Sequence, residues 1–234
     1  MTNLTFRKGL IDGIPIALGY LSVSFSFGIL CAKGDMRILG AILISLTNLT
    51  SAGQAAGVGV IAAGGTLVEM ALTQIVINLR YSLMGISLSQ KLSPNFSTWK
   101  RLIAAHGITD EIFAVAVSQK EPLTASFMYG LMSLPIAGWT TGTFLGALFG
   151  QILPENITNA LGLMLYAMFI AIIIPAAKKE KRVLLCVLLA AAISVFFKFV
   201  FPSLTSGFSI IISACLSAVF CSLVAPVSEE DEEK

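Results

Sequence analysis

The sequence has few charged residues for its length. Only 12% of its 234 residues are Asp, Glu, Lys or Arg, whereas 56% are hydrophobic. Soluble domains carry about twice this charged fraction, because a surface in contact with water has to be polar. A chain so poor in charge cannot cover a globule with polar side chains, but an apolar exterior suits a lipid bilayer. The composition therefore predicts an integral membrane protein.

The motifs of several enzyme and binding classes are also missing. There is no Walker motif, no HExxH, no GxSxG and no Cys/His set at metal-ligand spacing, and the four cysteines form no CxxC pair. The net charge of +2 gives no strongly basic surface for nucleic acid. We therefore expect a protein that is not an enzyme, holds no metal or cofactor, binds no nucleic acid and does not hydrolyse ATP.

Long apolar runs are present instead. A helix needs about 20 predominantly apolar residues to cross a bilayer. Two runs are faulted, because 38–63 is interrupted by polar residues and 102–117 is short and charged. The pattern predicts an all-α polytopic helical bundle with about six full spans and one or two broken or re-entrant elements; the alternative is seven or eight full spans. The six predicted full spans are 14–32, 66–88, 123–149, 157–177, 183–201 and 208–225.

Basic residues predict the orientation of these spans. Lys and Arg are enriched in cytoplasmic loops, and here they cluster at 7–8, 91–101 and 178–182. This distribution predicts a multi-pass protein of the cell membrane with both termini in the cytoplasm. The N-terminus and the segment 89–101 share one side only if the run 38–63 enters and leaves on the same face. We favour that arrangement over eight full crossings.

The domain prediction follows from the same runs. We expect a single transmembrane domain over residues 1–234, with 1–13 in the cytoplasm and 14–225 embedded in the membrane. The acidic segment 226–234 is predicted to be a disordered tail, because a block of like charges repels itself and stays solvated.

A polar block interrupts the run 38–63. Unwound backbone at membrane depth survives only where it is buried in protein or lines a watery cavity, and transporters use such breaks to bind substrate. The side chain of Asn78, on the following run, is too short to reach the membrane–water interface, so Asn78 is also a candidate binding residue. The alternative is a hydrogen-bonded cluster that only holds helices together. The candidate substrate-binding residues are Ser45, Thr47, Asn48, Thr50, Ser51, Gln54 and Asn78.

Ionisable residues form a second candidate set. A charge at mid-bilayer costs about 2.5–3.5 kcal/mol on insertion scales, so such residues invite a functional explanation. A partly buried carboxylate can also have a raised pKa, which suits proton coupling. The alternatives are snorkelling of Glu69 and Arg80 to opposite interfaces, and an exposed helix capped by Thr109. The candidate coupling or gating residues are Glu69, Arg80, Asp110 and Glu111.

Glycines recur at every fourth position from residue 138 to residue 150. Small residues at this spacing let two helices approach closely. The predicted helix-packing residues are Gly138, Gly142, Gly146 and Gly150. The sequence leaves open whether the partner helix lies in this chain or in another.

Several short motifs stand in a distinctive order. Gly13-Ile14-Pro15, Gly19-Tyr20 and Phe27-Gly28 are followed by Ser51-Ala52-Gly53-Gln54, Asn78-Leu79-Arg80-Tyr81 and Thr109-Asp110-Glu111. In this order and spacing the first half of the chain resembles the AzlC family of branched-chain amino acid exporters. The second half resembles the family only in hydropathy and length.

The resemblance implies secondary-active export of small neutral amino acids, namely leucine, isoleucine or valine, driven by the proton gradient. It also implies a small, very hydrophobic membrane partner of the AzlD type. Many members have Tyr-Ala-Gly and a phenylalanine after the glutamine, where this chain has Leu49-Thr50-Ser51 and Ala55, so its substrate could differ from the family's usual one. The alternatives are an uncoupled channel or permease for another small zwitterionic or polar solute, and a membrane assembly or structural subunit.

Overall fold

The computed structural model describes residues 4–224, and within this range the chain forms ten α-helices and no β-strand. This confirms the predicted all-α class. The predicted tail 226–234 lies outside the described residues. The helices are α1 (Phe6–Lys33), α2 (Ile38–Thr47), α3 (Ala52–Ala62), α4 (Leu67–Ser89), α5 (Thr98–His106), α6 (Asp110–Ser118), α7 (Ala125–Phe149), α8 (Glu155–Lys179), α9 (Lys181–Val200) and α10 (Ser206–Val224).

Three of these helices are both long and apolar enough to cross a membrane: α1, α9 and residues Gly207–Val224 of α10. The helices α4, α7 and α8 have 23, 25 and 25 residues, which is also sufficient length. Helix α1 begins well before the predicted start of the first span at residue 14. The reason is local, because the Thr5 side chain accepts a hydrogen bond from the Lys8 N–H and so caps the helix.

Close packing divides the described chain into two compact units. The first comprises residues 4–58 and 78–165, and the second comprises residues 59–77 and 166–224. In the second unit α9 and α10 pack against each other, and α9 has no buried residue. An apolar helix without a buried face fits a lipid environment, as expected for a membrane protein.

The first unit is built on α1 and α7, which run parallel in close contact. Gly138 of α7 lies against Ala17 of α1, and Gly146 lies against Phe25, about two turns further along both helices. At each glycine a Cβ atom would overlap a backbone carbonyl oxygen of α1, so only glycine permits this approach. The partner of the glycine stripe therefore lies in this chain. The same interface includes Gly9, Gly13, Gly28, Gly130, Gly142 and Gly150.

Helices α2 and α3 form a hairpin, here called the first hairpin. Ala41 of α2 and Val58 of α3 pack in one cluster with Cys31, near the C-terminal end of α1. The first tip, residues 48–51, lies beside the middle of α1, where Leu49 packs with Tyr20. The run 38–58 thus begins and ends near the C-terminal end of α1.

Helices α5 and α6 form the second hairpin, which approaches from the opposite end of the same pair. Ala104 of α5 and Ala116 of α6 pack in one cluster with Phe127, near the N-terminal end of α7. The second tip, residues 107–111, comprises the turn and the first two residues of α6. It reaches Tyr20, and the hydroxyl oxygens of Thr109 and Tyr20 lie 2.6 Å apart. The two tips therefore meet beside the middle of α1.

Each tip breaks its helix through local chemistry. At the first tip, the Thr47 hydroxyl donates to the Leu43 carbonyl oxygen at 2.7 Å, and Ser51 has a φ of 44°. At the second tip, Gly107 follows α5, and Thr109 caps α6 by accepting from the Ile112 N–H at 3.4 Å. Ser and Thr compete with helical hydrogen bonds in this way. Thr109 is thus the N-cap of α6, a role that the sequence left open as an alternative.

Candidate functional site

An open cavity of about 430 Å³ lies where the two tips face α4. The first tip and the last residue of α2 contribute Thr47–Thr50, and the second hairpin contributes Ala105, His106 and Ile108. Four residues of α4 complete the lining at spacings of three, four and seven, which place them on one helix face. These four are Asn78, Tyr81, Ser82 and Gly85.

The lining combines neutral polar groups with a few apolar ones. Amide and hydroxyl groups come from Asn48, Thr50 and Asn78, while Leu49 and Ile108 supply apolar surface. Small-molecule sites of about 300–1,000 Å³ commonly have this mixture, with few polar groups that fix the orientation of the ligand. The cavity is therefore suited to a small molecule with polar and apolar ends.

Four of the seven predicted binding residues line the cavity: Thr47, Asn48, Thr50 and Asn78. The other three, Ser45, Ser51 and Gln54, form hydrogen bonds that fix the first tip. The buried Gln54 donates to the Ser45 hydroxyl at 3.2 Å and accepts from the Ser51 N–H at 3.2 Å. Ser45 in turn is hydrogen-bonded to Thr143 of α7 at 2.7 Å. This part of the polar block thus joins the tip to the α1–α7 pair.

The second tip carries two carboxylates, and each is bound to a different helix. Asp110 Oδ2 forms an ion pair with Arg80 Nη1 of α4 at 2.5 Å. Glu111 accepts a hydrogen bond from the Tyr20 hydroxyl of α1. Arg80 also lies over the ring of Tyr81, with its guanidinium carbon 5.0 Å from the ring centroid. These contacts tie the start of α6 to the two helices that flank it.

Asp110 lies in α6, whose nine residues are too few to cross a bilayer. Burial raises the pKa of the Asp110 carboxyl above its ordinary value, and the nearby Arg80 guanidinium opposes this rise. His106 and Asp110 are four residues apart, but they belong to different helices, because the turn 107–109 separates them. Their spacing therefore does not place them on one helix face.

Glu69 belongs to the second unit and is not among the residues that line the cavity. It is only 1% exposed, so it does not snorkel to water. Its carboxylate accepts hydrogen bonds from the Thr205 hydroxyl and, at 3.0 Å, from the Gly207 N–H at the start of α10. The positive end of the α10 dipole stabilises a carboxylate in this position. Nearby, the buried Thr73 hydroxyl has no hydrogen-bond partner within residues 4–224.

Sequence reasoning missed the aromatic residues at the tips. Tyr20 contacts both hairpins, and its ring packs edge-on against Trp139, with centroids 5.3 Å apart. The indole N–H of Trp139 is buried and has no hydrogen-bond partner in the described part of the chain. Tyr81, Ser82 and Gly85 were also missed, although their spacing from Asn78 along one helix face was a usable signal.

The second unit contains two further cavities of about 410 and 470 Å³. Both are lined mainly by apolar side chains near the α9–α10 turn, including Phe197, Phe201 and Leu204. Such surfaces are typical of lipid-facing regions and supply few polar groups to orient a ligand.

Comparison with known proteins identifies the chain's relatives. Residues 15–153, more than half of the chain, match the family described as AzlC protein. The chain belongs to the AzlC family. This confirms the resemblance found in the sequence, and the matched region of the AzlC family contains α4, both hairpins and the whole cavity lining. No solved structure matches the chain.

Individual relatives of this AzlC-family chain are membrane proteins. The inner membrane protein YgaZ of Escherichia coli (strain K12) is 28% identical over 225 residues, which cover 93% of this chain and 91% of YgaZ. An uncharacterized membrane protein of Archaeoglobus fulgidus is 33% identical over 175 residues, or 74% of this chain and 76% of the relative. A Helicobacter pylori (strain J99) membrane protein is 25% identical over 182 residues, covering 75% and 78%. Family and relatives together support a transport-related role in a membrane.

Proposed function

We propose that this AzlC-family chain exports small neutral amino acids, with leucine, isoleucine and valine as the first candidates, across the cell membrane. The observation that carries the proposal is the cavity at the two hairpin tips. Broken helices at membrane depth present backbone and neutral polar groups to a substrate. An amino acid zwitterion needs such groups for its charged end, and Asn48, Thr50 and Asn78 supply them. Its side chain needs apolar surface, and the lining includes the apolar residues Leu49, Ala105 and Ile108.

Proton coupling is proposed at the second tip. A proton that reaches Asp110 neutralises its charge and removes the attraction to Arg80. A proton that reaches Glu111 turns the acceptor of the Tyr20 hydroxyl into a neutral acid. Either event weakens a contact that ties the second hairpin to its neighbours. Protonation could thereby shift the equilibrium between two positions of the tip, provided that substrate binds them with different affinities.

The topology belongs to the same proposal. The two hairpins act as re-entrant elements, each returning to the membrane face from which it came, while α1, α4 and α7 cross fully. We infer from the basic residues that the N-terminus and the segment 89–101 lie in the cytoplasm. The first hairpin then opens to the outside and the second to the cytoplasm. Glu69, held at the start of α10, is proposed as a second coupling or gating group. A small hydrophobic AzlD-type subunit is the proposed partner.

Transport in proteoliposomes tests this function. The chain is reconstituted alone and with its AzlD-type partner, and uptake of labelled leucine, isoleucine and valine is followed with and without an imposed pH gradient. Gradient-dependent uptake that a proton ionophore abolishes is the expected result. Uptake that ignores both the gradient and the ionophore would replace the coupled exporter with an uncoupled permease. Absence of uptake of any amino acid, with and without the partner, would overturn the proposed function.

A matched pair of asparagine variants tests the site. Asn78 lines the cavity, whereas Asn95 is exposed in the connection before α5. We expect Asn78→Ala to reduce uptake about tenfold or more, the equivalent of roughly 1.4 kcal/mol of binding free energy. Asn95→Ala should leave uptake unchanged. Equal uptake by both variants at equal protein levels would remove Asn78 from the site.

A further inference from the structure

Gly85 is the smallest residue on the cavity face of α4. It follows Asn78 by seven residues, or about 10 Å along the helix axis, and both residues line the cavity. Within the part of the chain that the structure describes, a Cβ atom built on Gly85 meets no other atom within 4 Å. Many other glycines of the first unit are close-packed, and a Cβ there would overlap a neighbouring helix. Packing against the described helices of this chain therefore does not explain a glycine at position 85.

The cavity is chemically different at its two ends along α4. Asn78 stands at one end of the α4 face. Gly85 stands at the other, one turn before Leu88, which packs in one cluster with Ala104 of α5. Ala105, next to Ala104, also lines the cavity. Along α4, the Gly85 end of the lining therefore has no side chain beyond the backbone, whereas the Asn78 end has an amide.

Resting on the proposed function, we propose that the Gly85 end of the cavity is the subsite for the substrate's side chain, and that Gly85 sets the largest side chain that fits. The amino acid lies with its zwitterionic end toward Asn78 and its side chain toward Gly85. The free space beside Gly85 is then the space that a branched aliphatic side chain occupies. A larger residue at position 85 fills this space, and smaller amino acids should still fit.

Substitutions of increasing size at position 85 test the subsite in the full chain, reconstituted with its partner. Gly85→Ala and Gly85→Leu are compared with wild type for uptake of glycine, alanine, valine, leucine and phenylalanine. One methylene in an apolar pocket changes discrimination by about 10- to 200-fold. We therefore expect Gly85→Leu to lose uptake of leucine and phenylalanine about tenfold or more, while uptake of glycine and alanine stays within about twofold. Gly85→Ala should be intermediate.

Gly19 of α1 provides the matched control. Among the described residues, a Cβ atom at Gly19 also meets no atom within 4 Å, but Gly19 does not line the cavity. Gly19→Ala and Gly19→Leu should leave the order of preferred amino acids unchanged. If the Gly85 variants keep the wild-type order, or lose all five substrates equally, the side-chain subsite is elsewhere and the inference is overturned. If wild type transports none of the five, the proposed function fails, and the inference fails with it.

A labelling measurement keeps the inference testable if Gly85→Leu does not fold. The four cysteines of the chain are replaced by serine, and Gly85→Cys is introduced into that background. Leucine should slow the reaction of the new thiol with a maleimide, and glycine should slow it less, because its shorter side chain leaves the subsite empty. Equal labelling rates with and without leucine, in protein that transports leucine, would overturn the inference.

Discussion

The two helical hairpins of the first unit share a plan but differ in the chemistry of their tips. Each breaks beside Tyr20, and each places a Ser or Thr at the start of its second helix. The first tip is uncharged, and its hydrogen bonds lead through Gln54 and Ser45 to the α1–α7 pair. The second tip holds Asp110 and Glu111, which are paired with other helices.

This difference suggests that the two tips have different functions. Hydrogen bonds among neutral groups do not depend on pH in the physiological range, so the first tip is expected to keep one structure. Contacts of carboxylates depend on protonation, so the second tip can respond to a proton. The cavity between them draws its lining from both. A transporter needs both properties, namely a constant binding surface and a part that responds to the driving ion.

The largest expected effect comes from removing the frame on which both hairpins dock. Gly146→Leu places a side chain where the backbone of α1 lies, so both hairpins should be lost together. We expect destabilisation of about 3 kcal/mol or more, measured as a fall in the thermal unfolding midpoint in detergent. Gly19→Leu, where the space is open, is the control. Equal stability of the two variants would contradict the close α1–α7 contact.

Tyr20→Phe should affect the second hairpin and leave the first unchanged. It removes the hydroxyl bound to Thr109 and Glu111 but keeps the ring against Leu49. A hydrogen bond to a charged group contributes about 1.5–3 kcal/mol. We expect a loss of stability of that order. The accessibility of a cysteine introduced at the second tip should increase, and that of a cysteine introduced at the first tip should stay constant. Increased accessibility at both tips would show that the ring, rather than the hydroxyl, is affected.

Gln54→Leu disturbs only the neutral tip. It removes the hydrogen bonds to Ser45 and Ser51, and a net loss of about 1 kcal/mol for each neutral bond is expected. Uptake should decrease with an unchanged dependence on pH. Gln90→Leu, at an exposed position after α4, controls for the change in polarity. A shifted pH profile in Gln54→Leu would contradict the division between the tips.

Asp110→Asn should have the smallest effect on stability and the most specific effect on transport. The variant keeps the shape of the side chain but cannot titrate. Because burial raises the pKa of Asp110, the wild-type carboxyl takes up its proton at a higher pH than an exposed aspartate. The pH dependence of uptake should therefore be flatter in the variant on the acidic side. An unchanged profile would move coupling away from Asp110, with Glu111→Gln and Glu69→Gln as the next variants.

Much of the fold was predictable because its causes are local. Apolar length identifies helices, and the predicted runs 66–88 and 183–201 correspond to α4 and α9 within two residues at each end. The faulted runs 38–63 and 102–117 became the two hairpins. Ser, Thr and Gly offer the backbone alternatives to helical hydrogen bonds, and that preference is readable in the sequence. The start of α1 was placed too late, because apolarity marks the membrane-buried length and misses a polar first turn.

The candidate site was predictable only in part. The polar block and Asn78 were identified because polar groups are rare in apolar runs. The sequence did not indicate which residues of the polar block face the cavity. Ser45 and Gln54 instead form hydrogen bonds that lead to Thr143 of α7. Glu69 and Arg80 looked alike as charges near the ends of one run. The structure gives them different partners, Thr205 and Asp110, and assigns them to different units.

The sequence by itself determined the membrane class, the helices, their breaks and the family, because composition, periodicity and short motifs act within a few residues of the chain. Tertiary structure decided the contacts of the site. Tyr20 and Thr109 are 89 residues apart, and Ser45 and Thr143 are 98 apart. Pairs at such separations leave no periodic signal in one sequence. They form because α1 and α7 pack closely enough to bring the two hairpin tips to the same place.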